Sequence, residues 1–102
     1  MWGRGRRVIL FNRIEAPNGM KRRFIEDPGV RKVLQRNGVS DDQIRDMEHA
    51  IMSGGGAVIP GTGGLKKIRC GAAGRGKRGG VRVIFADYPG RGIVHLLAAP
   101  EE

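Results

Sequence analysis

Residues 27 to 56 carry two complete sets of helix punctuation back to back, and this limits the possible folds more than any other stretch of the chain. Asp27-Pro28 reads as an N-cap followed by proline at the first helical position, where a missing N–H is of no consequence. Val30, Val33 and Leu34 then recur on one face, with Arg31, Lys32, Gln35 and Arg36 around them. Asn37-Gly38 supplies a left-handed stop. A second start follows at once, because Ser40-Asp41-Asp42-Gln43 is a capping box with Gln three residues after Ser. Ile44, Met47, Ile51 and Met52 line its apolar stripe, and Ser53-Gly54-Gly55-Gly56 ends it. The spacing predicts two short amphipathic helices, each with an apolar face that the rest of the chain has to cover.

The flanking segments read as strands. Val8-Ile9-Leu10-Phe11 is a short apolar run after a basic arm and is expected to be the first strand. Residues 12 to 26 contain Pro17, Asn18 and Gly19 and read as a turn followed by irregular chain, with a helical turn at most over Met20 to Glu26. Beyond the helices, Ala57 to Gly64 is a Gly/Pro connection and Leu65 to Cys70 a strand. Val81 to Ala86 is a stronger strand, Asp87-Tyr88-Pro89-Gly90 a turn, and Ile93 to Leu97 the last strand. The expected architecture is a single α+β domain over 1–102, in the order β-α-α-β-β-β, with two helices packed on a small antiparallel sheet. No internal repeat and no long linker divides it.

Hydrophobic residues make up 39% of the 102 and aromatics only 5%, so the core has to be built mainly from Val, Ile and Leu. Nineteen Lys and Arg against ten Asp and Glu leave a formal charge of +9. Such an excess favours a polyanionic partner, nucleic acid first among them, since each cation set against a phosphate releases a condensed counterion. The lone Cys70 excludes an internal disulfide and any Cys-based zinc cluster, as befits a reducing compartment. No stretch is apolar enough to span a membrane, and the run Val8 to Phe11 is too short for a signal peptide. A cytoplasmic protein is expected, with no membrane partner.

The positive charge is concentrated. Between His49 and Ala86 there is no acidic residue, while Lys66, Lys67, Arg69, Arg75, Lys77, Arg78 and Arg82 all fall in that window. Strand alternation places Lys67 and Arg69 on one face and Ile68 and Cys70 on the other, with Arg82 on the neighbouring strand. Two or three cations converging on a sheet face suit a phosphate and its developing charge. A solvated basic edge is the plainer alternative.

The loop from Gly71 to Gly80 comes close to a phosphate-binding P-loop, since Gly71 and Gly76 are correctly spaced and Lys77 follows. The match then fails, because Arg78 stands where Ser or Thr should hold magnesium and a strand follows instead of a helix. Gly74, Gly76 and Gly79 spell a dinucleotide pattern that fails for the same reason. What remains is a basic hairpin loop suited to an RNA backbone. His95 and Tyr88 are the proton-transfer candidates of this half, although a strand histidine is more often structural. His49 reads as a helix-face residue. No metal-ligand cluster and no cofactor motif is present.

Two blocks, Val58-Ile59-Pro60-Gly61-Thr62-Gly63-Gly64-Leu65-Lys66-Lys67-Ile68-Arg69 and Gly74-Arg75-Gly76-Lys77-Arg78-Gly79-Gly80-Val81-Arg82-Val83-Ile84, resemble the HigB-like branch of the RelE/ParE toxin superfamily of bacterial type II toxin–antitoxin systems. With the helices, the resemblance covers about three quarters of the chain. It implies a microbial-RNase-type fold and metal-independent cleavage of ribosome-bound mRNA, in which a 2′-hydroxyl attacks its adjacent phosphate while basic residues stabilise the phosphorane charge and assist proton transfer. It implies catalytic roles for Lys67, Arg69 and Arg82, to which the residue reading adds His95. It implies RNA contacts from Lys66, Arg75, Lys77 and Arg78. The implied partners are mRNA, the ribosome and a cognate antitoxin, expected to be a helix-turn-helix protein. The family's Tyr-x-Lys-x-Glu block and last helix have no counterpart in Leu97-Ala98-Ala99-Pro100-Glu101-Glu102, so a C-terminal helix is expected to be absent. A catalytically degenerate protein that only binds RNA or its antitoxin is the alternative expectation.

Overall fold

A computed structural model describes residues 13–15, 21–71 and 80–100. Its strands are β1 (Arg13–Glu15), β2 (Lys21–Glu26), β3 (Ala57–Val58), β4 (Lys66–Cys70), β5 (Val81–Tyr88) and β6 (Ile93–Ala98). Helices α1 (Pro28–Arg36) and α2 (Asp41–Met52) lie between β2 and β3 in the chain.

Both helices form where their punctuation places them. Ser40 Oγ accepts from the Gln43 backbone N–H at 3.1 Å, and Gln43 Oε1 accepts from the Ser40 N–H at 2.9 Å, so the capping box closes from both sides. Gly38 takes φ +80 after α1, and the Val39 N–H reaches back to the Leu34 carbonyl at 3.0 Å. Asp27 has the extended backbone of an N-cap but makes no capping bond with its side chain.

The sheet runs β1-β2-β6-β5-β4-β3. It is mixed, which corrects the antiparallel expectation: β2 and β6 are parallel, with Phe24 beside Val94, and the other pairs are antiparallel. The cause lies in β2, where a strand stands in place of the irregular chain or helical turn expected over 20–26. Its core-side positions are Arg22, Phe24 and Glu26, so a charged–apolar–charged row hides the period of two. Those charges are compensated in the fold, Arg22 by Asp87 at 3.1 Å and Glu26 by Arg31 at 2.7 Å. Once β2 is a strand ahead of two helices, the chain returns to the same sheet and a parallel neighbour becomes possible.

The expected connection 57–64 also contains structure. β3 pairs with β4, and Thr62 Oγ1 donates to the Ile59 carbonyl at 2.6 Å while accepting from the Leu65 N–H at 3.1 Å. The expected strand over 8–11 lies outside the described residues.

One face of the sheet takes both helices. Phe24, Val83, Phe85, Val94 and Leu96 from the sheet meet Val30, Leu34, Ile44, Met47 and Ile51 from the helices, all nearly fully buried. Each such side chain contributes about 1.5–3 kcal/mol through burial. Contact is so close after α2 that Gly56 is required: its φ is +106, and a Cβ there would stand 2.8 Å from Phe85 Cζ. The opposite face of the sheet carries neither helix.

Candidate nucleic-acid interface

Alternation along β4 and β5 separates charge from core. Cys70, Val81, Val83 and Phe85 are buried on the helix side, while Lys67 and Arg69 are exposed and Arg82 half-buried on the open face. The register sets Arg69 directly opposite Arg82 and Lys67 opposite Ile84. The three cations that the strand pattern singles out therefore share one face. Opposed residues have Cβ atoms about 5 Å apart, and like charges there repel. Arg69 Nη1 donates to the Gly80 carbonyl at 2.9 Å, which draws one guanidinium toward the end of the hairpin.

The remaining candidates fall elsewhere. Lys66 faces the helix side, where it lines a cleft of about 180 Å³ beneath the end of α2 with Gly54, Gly55, Phe85 and Asp87. It is not brought to the face of Lys67 and Arg69. Arg75, Lys77 and Arg78 lie outside the described residues. His49 is exposed in the last turn of α2, as a helix-face residue should be. Tyr88 is 47% exposed and pairs with Ile93 at the far end of the open face.

His95 does occupy the open face, on β6 opposite Ala86. Ala86 is four residues along β5 from Arg82, about 13 Å at strand rise. The imidazole also has a partner that sequence reasoning missed. His95 Nε2 lies 2.8 Å from Asp27 Oδ1. Asp27 reads locally as a helix cap and nothing more. The contact spans 68 positions, and no periodicity or motif links its two ends.

The helix side of the sheet holds compensated charge pairs. Glu26 and Asp87 both point to the helix side, where they meet Arg31 and Arg22. Arg31 also reaches Asp41 at 3.2 Å, so it links β2 to the start of α2. The open face keeps Lys67, Arg69 and Arg82, with Asp27 at its edge beside His95. Among the described residues, cations gathered on one face in this way favour a polyanion.

Among the described residues, no cluster of three or more His, Cys, Asp or Glu side chains could hold a metal ion. Nor is any described helix long and apolar enough to cross a membrane. No protein-family model matches the chain.

Proposed function

We propose that this protein is an endoribonuclease toxin of the RelE/HigB kind, which binds RNA on the open face of its sheet and cleaves ribosome-bound mRNA without a metal. The observation that carries this reading is the convergence of Lys67, Arg69 and Arg82 on one face, with Arg69 and Arg82 in direct register. A phosphodiester seated there meets cations from two strands. As the 2′-hydroxyl attacks, negative charge builds on the non-bridging oxygens, and preorganised cations stabilise that charge more than the ground state. The likeness of blocks 58–69 and 74–84 to the HigB-like toxins supports the same assignment. So does the arrangement of two helices on one side of a sheet whose other side is open and basic. A cognate antitoxin, a helix-turn-helix protein, would hold the activity in check, and the cytoplasm is where mRNA on ribosomes is met.

Primer extension on an mRNA in a reconstituted translation system tests the reading. Wild-type protein should produce cuts that depend on translating ribosomes, and Arg82→Ala should remove them while circular dichroism and melting stay near the parent. Absence of cuts with folded wild-type protein would leave a module that binds RNA or its antitoxin without chemistry. Equal cutting by Arg82→Ala would put the active face elsewhere.

A further inference from the structure

We propose that the cleft beneath the end of α2 binds a small monocarboxylate, an acid with a compact apolar body such as a single ring, whose charge pairs with Lys66. The cleft lies on the helix side of the sheet, away from the open face, so this site stands or falls independently of the nuclease reading.

The cleft follows from where α2 stops. Four neighbouring strands line it: β4 with Lys66, β5 with Phe85 and Asp87, β6 with Val94 and β2 with Arg22. Ile51 and Met52 bring the helix to its end above them. The chain then continues through Gly54 and Gly55, which have no side chains to lay over the sheet. About 180 Å³ is left open. Sites for drug-sized ligands hold about 300–1,000 Å³, so this one suits a single ring or a short branched chain.

Charge narrows the choice of guest. Arg22 and Asp87 face each other at 3.1 Å and compensate one another. Lys66 is half-buried, and among the described residues its ammonium has no hydrogen-bond or ion-pair partner. One uncompensated positive charge therefore stands in a recess floored by the buried side chains of Ile51, Phe85 and Val94. A cation partly withdrawn from water gains from an anion that can enter beside it. The glycines add no further anion donor, since the Gly54 and Gly55 N–H groups already donate to the Ile51 and Ala50 carbonyls at 3.0 and 2.8 Å. The carbonyl end of α2 also carries partial negative charge. A doubly charged phosphate would exceed the charge the lining can compensate and would stand against Asp87 and the helix end. A bare inorganic anion would leave the apolar floor wet, whereas a ring removes it from water.

Benzoate is the probe, titrated into the protein at constant ionic strength and followed by two-dimensional amide NMR. Saturable shifts should appear at Gly54, Gly55, Lys66, Phe85 and Asp87. Lys66→Met and Lys66→Gln should each weaken binding by about tenfold or more, as loss of a charge-assisted hydrogen bond implies. Lys66→Arg keeps the charge and should retain most of the affinity. Lys67→Met, the next residue but on the opposite face, should bind benzoate as wild type does. Benzamide, which has the ring without the charge, and inorganic phosphate, which has charge without the ring, should each bind wild type about tenfold more weakly or worse. These two comparisons use wild-type protein alone, so they decide the matter even if a Lys66 variant fails to fold. Shifts that never saturate or lie outside the cleft would overturn the assignment. So would benzamide or phosphate binding as tightly as benzoate, or Lys67→Met losing as much affinity as Lys66→Met.

Discussion

Arg31 stands between two carboxylates of unlike environment. Glu26 is buried, with its side chain 5% exposed, whereas that of Asp41 is 85% exposed. Removing the shared cation leaves a charge without a partner in the interior, so Arg31→Ala should cost about 2–3 kcal/mol in urea denaturation. Asp41→Ala, which breaks only the solvated arm, should stay within about 1 kcal/mol of the parent. Cys70 offers a second test at this scale. Burial pushes its thiol from 9.0 up to about 11, and the Glu48 and Asp46 carboxylates add to the rise. The thiolate is the reactive form, so Cys70 should resist alkylation at pH 8 in the native protein and react once urea unfolds it. Between pH 9.0 and about 11 the unfolded chain loses this proton and the folded chain keeps it, so ionisation favours unfolding. Stability should therefore fall across that window, and less steeply in Cys70→Ala. The strand pattern made the shared face of Lys67 and Arg69 legible, because alternation is local. The turn of Asp27 toward His95 was not, because a side chain that abandons its cap for a distant strand leaves no local trace.

Among the elements, the helices were legible to within a residue because their signals are short-range: Ser40 and Gln43 cap each other, and Asn37-Gly38 closes the preceding turn. If the capping box fixes the start of α2 as its two bonds imply, Ser40→Ala should lose about 1 kcal/mol, readable as a drop of a few degrees in thermal melting. Strands β4, β5 and β6 were legible for a similar reason, since apolar residues alternate with cations or run uninterrupted through them. β2 was not. Its inward positions Arg22 and Glu26 look solvated until Asp87 and Arg31, far off and five residues on, are brought against them. Missing β2 also hid the parallel pair, since a sheet in which every connection is a hairpin has only antiparallel neighbours.

At the scale of the molecule, the sheet divides two tasks. Its helix side holds the apolar core and the compensated charges Arg22–Asp87 and Glu26–Arg31, and its open side holds cations brought together by register. Lys66 and Lys67 are neighbours in sequence on opposite sides of this division, which makes them an internal control. The most direct measurement is RNA affinity across a salt series for Lys67→Ala, Arg69→Ala, Arg82→Ala and Lys66→Ala. Removing a phosphate contact should weaken binding and flatten the slope of log K against log salt by about one unit per lost contact. Flattening in the first three variants, with Lys66→Ala close to wild type, is the predicted result. Equal effects from Lys66 and Lys67, or none from Arg69 and Arg82, would contradict an RNA site on the open face.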